Sequence, residues 1–171
     1  RCAIQIKPAD LCRMRRHLAK GSHKIFNPDA KRHQTTIRRT DRLYRQIEEQ
    51  LKKSRIVSSV RHMTHCVLLH SAAGCKQQQW HYDYDPAVVR RKKIKPMGML
   101  LALQDGTKFE TPTQTYHLSA GDMLLFDGDV LHAGASYAED NVRIHAYIDR
   151  FDVTRQRNKT YFTNRAAQTR S

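Results

Sequence analysis

No apolar run in this chain of 171 residues approaches the roughly 18–20 positions that a membrane-spanning helix needs, so a transmembrane helix is excluded. Cysteine is scarce and unpatterned. Cys2, Cys12, Cys66 and Cys75 form no CxxC pair and no zinc-finger spacing, and they make no disulfide scaffold. They read as free thiols of a reducing, intracellular compartment, nucleus and cytoplasm not being distinguished. The start, Arg1-Cys2-Ala3-Ile4, has neither an initiator Met nor a signal-peptide pattern, so the chain is expected to be cut from a longer one. Internal repeats and low-complexity tracts are missing as well. Acidic residues are in the minority: 31 Lys and Arg face 16 Asp and Glu, a formal net charge of +15. The hydrophobic share, 39%, is low for a compact domain but outside the disordered range, and the length suits a single domain with a real core.

The charge is uneven. Residues 1–60 hold 16 Lys/Arg against 5 Asp/Glu, whereas residues 61–171 hold 15 against 11. The first part, 1–56, reads as a basic helical region. Asp10-Leu11-Cys12-Arg13-Met14-Arg15-Arg16-His17-Leu18 is a short basic segment, Gly21-Ser22 a stop and Asn27-Pro28-Asp29 a turn. A longer helix begins near Thr40 and Asp41, which supply capping chemistry. Leu43, Ile47 and Leu51 then form one apolar stripe on a charged rod. From about Val57 the pattern changes to short strands, at 60–69, 79–84, 97–103, 115–118, 122–126 and 142–150, separated by turn signals such as Ala73-Gly74 and Gln104-Asp105-Gly106. Strands at this spacing suggest a sandwich or small barrel over 57–152, followed by a basic C-terminal extension at 153–171, in one domain overall. The run Arg90-Arg91-Lys92-Lys93, with Lys95, is expected as an exposed basic loop.

Three features carry chemistry. In His81-Tyr82-Asp83, the imidazole and the carboxylate stand two apart on a strand and so point the same way, with Trp80, Tyr82 and Tyr84 on the other face. One nitrogen and one oxygen donor suit Fe(II), Mn(II) or Zn(II). The bland alternative is a histidine hydrogen-bonded to its neighbouring carboxylate. Next, the stretch from Gly121 through Asp122-Met123-Leu124-Leu125-Phe126 to His132-Ala133-Gly134 is an apolar strand between tight turns, ending in a histidine that can deliver a third ligand from far along the chain. Finally, 142–150 alternates strictly. Arg143, His145, Tyr147 and Asp149 share one face, and Val142, Ile144, Ala146 and Ile148 take the other. An inward Arg is costly without an anionic partner, and no buried acid is evident for it, so a bound carboxylate is a natural candidate. An ordinary salt bridge on a half-exposed strand is the alternative.

Taken together, His81-x-Asp83, then His132, then Arg143 eleven residues later resemble the Fe(II)- and 2-oxoglutarate-dependent oxygenases, over roughly residues 60–150. The look is closer to the prolyl-hydroxylase and phytanoyl-type branches than to the JmjC branch. The resemblance implies a mainly β fold with N-terminal helices, a double-stranded β-helix (jelly-roll, cupin-like) barrel. It also implies a facial triad of His81, Asp83 and His132 on Fe(II), and a grip by Arg143 on the distal carboxylate of 2-oxoglutarate. The reaction implied is oxidative decarboxylation to succinate coupled to hydroxylation or demethylation of a substrate, with dioxygen consumed and ascorbate as a possible reductant. Many relatives have Ser where this chain has His145, which is expected to face the same cavity and to donate to the cosubstrate carboxylate. A second cosubstrate contact is open among His65, His70 and Tyr82, and Tyr147 either lines the pocket or packs. The remaining histidines, His17, His23, His33, His62 and His117, read as surface or structural.

The substrate is not legible. The basic front end, the loop from Arg90 to Lys95 and the aromatics beside the metal strand favour a nucleic acid or nucleic-acid-associated target weakly. The alternatives are a protein or small-molecule hydroxylase, and a catalytically silent barrel used for binding. No membrane partner is expected, and the oligomeric state is not read.

Overall fold

The structure is a computed structural model that describes residues 2–3, 23–24, 30–93, 95–153, 155 and 159–163. Two sheets face each other. The larger has seven strands, in the order β1 (Cys2–Ala3), β9 (Asp122–Asp127), β6 (Met97–Ala102), β11 (Asn141–Arg150), β4 (Arg61–Ser71), β3 (Arg32–Thr36) and β2 (His23–Lys24). The smaller has β10 (Ala133–Gly134), β7 (Thr107–Glu110) and β8 (Thr115–Leu118). A third pairing joins β5 (His81–Tyr82) to β12 (Tyr161–Phe162). A bridge between His81 and His132 connects β5 to the segment entering β10. The expectation of a mainly β jelly roll agrees with this arrangement.

Alternation along β11 sorts the core. Val142, Ile144, Ala146 and Ile148 face one side and join a cluster with Met63, Cys66, Leu68, Met99, Leu101 and Met123. The helix α1 (Arg42–Lys53) closes that cluster with Leu43, Tyr44, Ile47 and Leu51. It starts where expected: the Asp41 carboxylate accepts from the Leu43 N–H, so the cap satisfies one of the orphan donors of the first turn. Tyr44 adds a polar tie, its hydroxyl donating to Met63 O at 2.8 Å.

The register between β11 and β4 slips by one, because Ala146 pairs Cys66 while Ile148 pairs Met63. The extra residue lies on β4 at Thr64–His65. The bulge lets Met63 and Cys66, three apart, both face the helix side while His65 turns inward. On the inner side, Gly98 is required by packing: a Cβ there would lie 2.3 Å from the Phe126 ring. Cys66 and Cys75 are free and buried, Cys66 among the helix-side residues and Cys75 with Ala135 and Tyr137.

Two expectations are corrected. Residues 1–56 do not form a wholly helical front end. The described residues there include strand pieces at Cys2–Ala3, His23–Lys24 and Arg32–Thr36, all part of the large sheet, besides α1. The pattern Arg32-His33-Gln34-Thr35-Thr36 is too polar to show the apolar alternation that marks a strand, yet it pairs in register with β4. The basic segment from Asp10 to Leu18 and the Asn27-Pro28-Asp29 turn lie outside the described residues. Equally, 153–171 is not merely an extension, because Tyr161 and Phe162 pair with Tyr82 and His81.

Candidate active site

The strand β5, the turn after β9 and the inner face of β11 converge on the floor of a cavity of about 310 Å³. His81, Asp83 and His132 meet there, one ligand atom from each lying within 4.8 Å of the others, and all three residues are buried. The local backbone sets both imidazoles. His81 Nδ1 donates to Gln79 O at 2.8 Å, and His132 Nδ1 donates to Val130 O at 3.0 Å. Each ring thereby keeps its Nε2 lone pair free and aimed at the common point, the arrangement a metal-ligating histidine needs. The His132 ring is also wedged between aromatic rings, stacked on Phe109 at 5.1 Å and edge-on to Phe126 at 5.0 Å between centroids.

Two further side chains aim Asp83. His145 Nε2 sits 3.1 Å from one carboxylate oxygen, and the Tyr147 hydroxyl donates to the other at 3.4 Å. Burial alone would push the Asp83 carboxyl up, but the imidazoles of His132, His145 and His81 outweigh it and hold the group below the usual carboxylate range. Burial pushes His132 down to about 4, against the opposing pull of Asp83. At neutral pH His132 is therefore an uncharged donor ring and Asp83 an ionised carboxylate, the states in which each binds a divalent cation. With two N and one O donors around an open cavity, the residues fit Fe(II) or a similar borderline ion.

Arg143 lies at the other end of the cavity, 3% exposed. Its Nη1 donates to Ser71 Oγ at 3.0 Å and to Asn141 Oδ1 at 3.3 Å. Burial pushes its guanidinium below the ordinary value, the Tyr137 phenol works against that, and the charge of Arg32 adds to it. Arg32, fully buried, donates to the same Ser71 Oγ at 3.0 Å. Two guanidinium groups thus share one hydroxyl, and Arg143 has no carboxylate partner among the described residues. An anion entering the cavity would satisfy it bidentately.

No protein-family model and no curated protein matches this chain in sequence. Solved structures match it in shape. A prolyl-4-hydroxylase from Pseudomonas putida superposes with a TM-score of 0.64 at 13% identity, over 83% of this chain and 84% of that one. HygX from Streptomyces hygroscopicus, solved with nickel and 2-oxoglutarate bound, gives 0.67 at 10% identity, over 89% and 82%. The viral collagen prolyl hydroxylase of Paramecium Bursaria Chlorella virus-1, a 2-oxoglutarate complex, gives 0.60 at 15% identity, over 80% and 87%. The fold is that of the 2-oxoglutarate/Fe(II) oxygenases.

Within this oxygenase fold several sequence-derived placements change. Tyr82 does not line the cavity, because alternation along β5 turns it away from the side that His81 and Asp83 take. His70 is outside as well, its Nε2 lying 3.0 Å from the Asp140 carboxylate. His65 does line the cavity, beside Tyr147. His145 faces Asp83 rather than Arg143. Tyr84 is not an exposed stacking surface: it is 3% exposed, packs edge-on to Tyr147, and its hydroxyl donates to Asp149. The loop after α2 (Pro86–Val89) is less free in charge than expected, since Lys92 pairs with Asp152 and Lys95 with Asp129 and Asp127.

The sequence reading also missed contributors to the cavity wall. Gln34 and Thr36 come from β3, Phe109 from β7, and Arg155, Lys159, Thr160 and Phe162 from the C-terminal segment. The first pair belongs to a polar strand, and of the last group only Phe162 lies in a strand, the two-residue β12, so neither carries a periodic signal. The aromatic pair Tyr161-Phe162 was the one local hint.

Proposed function

We propose that this protein is an Fe(II)- and 2-oxoglutarate-dependent oxygenase that hydroxylates or demethylates its substrate. The observation that carries the reading is the pairing, in one cavity, of a preset His81–Asp83–His132 donor cluster with a buried Arg143 that has no acid partner among the described residues. The ferrous ion and 2-oxoglutarate, when bound, would supply a two-electron oxidation in which one oxygen atom of dioxygen goes to succinate and the other to the substrate. His81 and His132 would hold the metal through Nε2 and Asp83 through a carboxylate oxygen. His145 and Tyr147 keep that carboxylate from rotating, and the bonds to Gln79 O and Val130 O keep the rings from flipping. Arg143 would take the distal carboxylate of 2-oxoglutarate, and Val67, Leu69, Leu100 and Phe109 form apolar wall that limits water.

Purified protein supplied with Fe(II), ascorbate and 2-oxoglutarate should release succinate slowly without substrate. His132→Ala should abolish the release. Arg143→Gln should raise the KM for 2-oxoglutarate about tenfold or more, with a smaller change in kcat. Wild-type protein that forms no succinate would remove the enzyme reading. A nucleic-acid target is a finer reading, supported by exposed cations such as Arg38, Arg42, Arg45, Lys53, Arg90 and Lys93.

A further inference from the structure

The cavity wall is strongly unbalanced in charge. Lys108, Arg143, Arg155 and Lys159 line it, and Asp83 is the one acid among its lining residues. Asp83 is committed to the donor cluster and Arg143 to the inner end. That leaves three cations toward the mouth. None of them is ion-paired to an acid among the described residues, although lysines elsewhere are: Lys52 with Glu48, Lys92 with Asp152, Lys95 with Asp129.

Arg155 is the best placed. Its guanidinium lies 3.3 Å over the Tyr147 ring and its Nε donates to the Asp83 backbone carbonyl at 3.4 Å. Stacking and that bond fix the plane of the fork and leave its Nη groups without a hydrogen-bond partner among the described residues. A planar fork held in one orientation is the device that recognises a carboxylate or phosphate. Lys159 stands on the same C-terminal segment, with Nζ 5.0 Å from the Tyr161 ring. Phe162, 52% exposed, lines the wall beside them and packs edge-on to His81 at 6.2 Å. The segment therefore presents two cations and an apolar ring next to a metal-ligand candidate. The cavity volume, about 310 Å³, is at the small end for ligand sites. With 2-oxoglutarate inside, only a small molecule or the tip of a larger one fits.

We infer that the substrate carries an anionic group, a carboxylate or a phosphate, gripped by Arg155 and Lys159 at the mouth, with an apolar portion against Phe162. The inference rests on the oxygenase reading for what happens to the substrate, but not for its capture.

Phenyl phosphate and benzoate are the probes, with benzamide as the uncharged match. Their binding is measured by saturation-transfer NMR and calorimetry, in excess 2-oxoglutarate and again in an Arg143→Gln background, which removes the inner anion position. At least one anion should bind in both settings, and benzamide should bind tenfold or more weakly. The Arg155→Gln/Lys159→Gln pair should lose tenfold or more of the anion affinity, Lys159→Gln alone should lose part of it, and Lys52→Gln none. A preference for phenyl phosphate assigns a phosphoester to the substrate, and a preference for benzoate a carboxylic acid. Equal binding of benzamide, undiminished binding in the double variant, or no anion binding overturns the inference. Succinate release by the same preparation separates the outcomes: release without anion binding removes this inference alone, and anion binding without release removes the oxygenase reading alone.

Discussion

At the scale of single residues, the donor cluster makes the protein sensitive to acid. The folded pKa of His132 is lowered from 6.5 to about 4, chiefly by burial. Between those values the unfolded chain binds a proton that the folded chain does not. Stability of the metal-free protein should therefore be whole above pH 6.5 and fall as the pH drops toward 4, by up to about 3 kcal/mol. Asp83, held below its ordinary 3.8 by the surrounding imidazoles, adds its own loss only at lower pH. Thermal melts from pH 7 to pH 4.5 should show the decline, and His132→Gln should flatten it. A decline of the same slope in the variant would assign the effect to other groups. His81 and Asp83 were legible from their spacing of two along a strand, Arg143 from the inner face of an alternating strand, and His132 from its place after an apolar strand between tight turns, the four being joined into one site by the resemblance to the oxygenases. His145 and Tyr147 shared that face and were legible as inward-pointing, but their attachment to Asp83 depends on β5 crossing in front of β11, which no spacing encodes.

At the scale of elements, β6 and β9 depend closely on each other. The Phe126 ring occupies the space a side chain at Gly98 would need, and the same ring holds His132 in place. Gly98→Ala should cost roughly 1–3 kcal/mol by overpacking. It should also weaken metal binding, measured by equilibrium dialysis with Ni(II), because the displaced ring no longer braces the imidazole. Unchanged metal affinity alongside lowered stability would separate packing from site geometry. Element type was read well where apolar period was strong, as in α1, β6, β9 and β11. It failed for β3, where Arg32, His33, Gln34, Thr35 and Thr36 form a strand because β4 supplies a partner edge. It failed for β7, and for β12, whose two residues are too short for a period to show.

At the scale of the whole molecule, Arg32 is the long-range tie. Its guanidinium donates to Ser71 Oγ at the end of β4, to Lys76 O ahead of β5, and to Ala135 O at 2.7 Å just after β10. One side chain thus fixes the approaches to both metal-bearing segments. Arg32→Met removes those donors and leaves buried carbonyls unmet, which should cost roughly 3 kcal/mol or more and lower the melting temperature by about 10 °C. Nothing in the sequence distinguished this arginine from the many around it. The surface charge belongs to this scale as well. If the basic faces meet a nucleic acid, affinity should fall steeply between 50 and 200 mM salt, and salt-independent or absent binding would leave them as solvated surface. The two buried thiols supply an independent clock on the barrel. Burial and the nearby Asp41 charge push Cys66 up to about 12, so it presents almost no thiolate while its surroundings stay closed. Alkylation of Cys66 then reports opening between α1 and the large sheet, and alkylation of Cys75 reports opening around Ala135 and Tyr137. The two regions can be timed separately at native thiols, with no cysteine introduced.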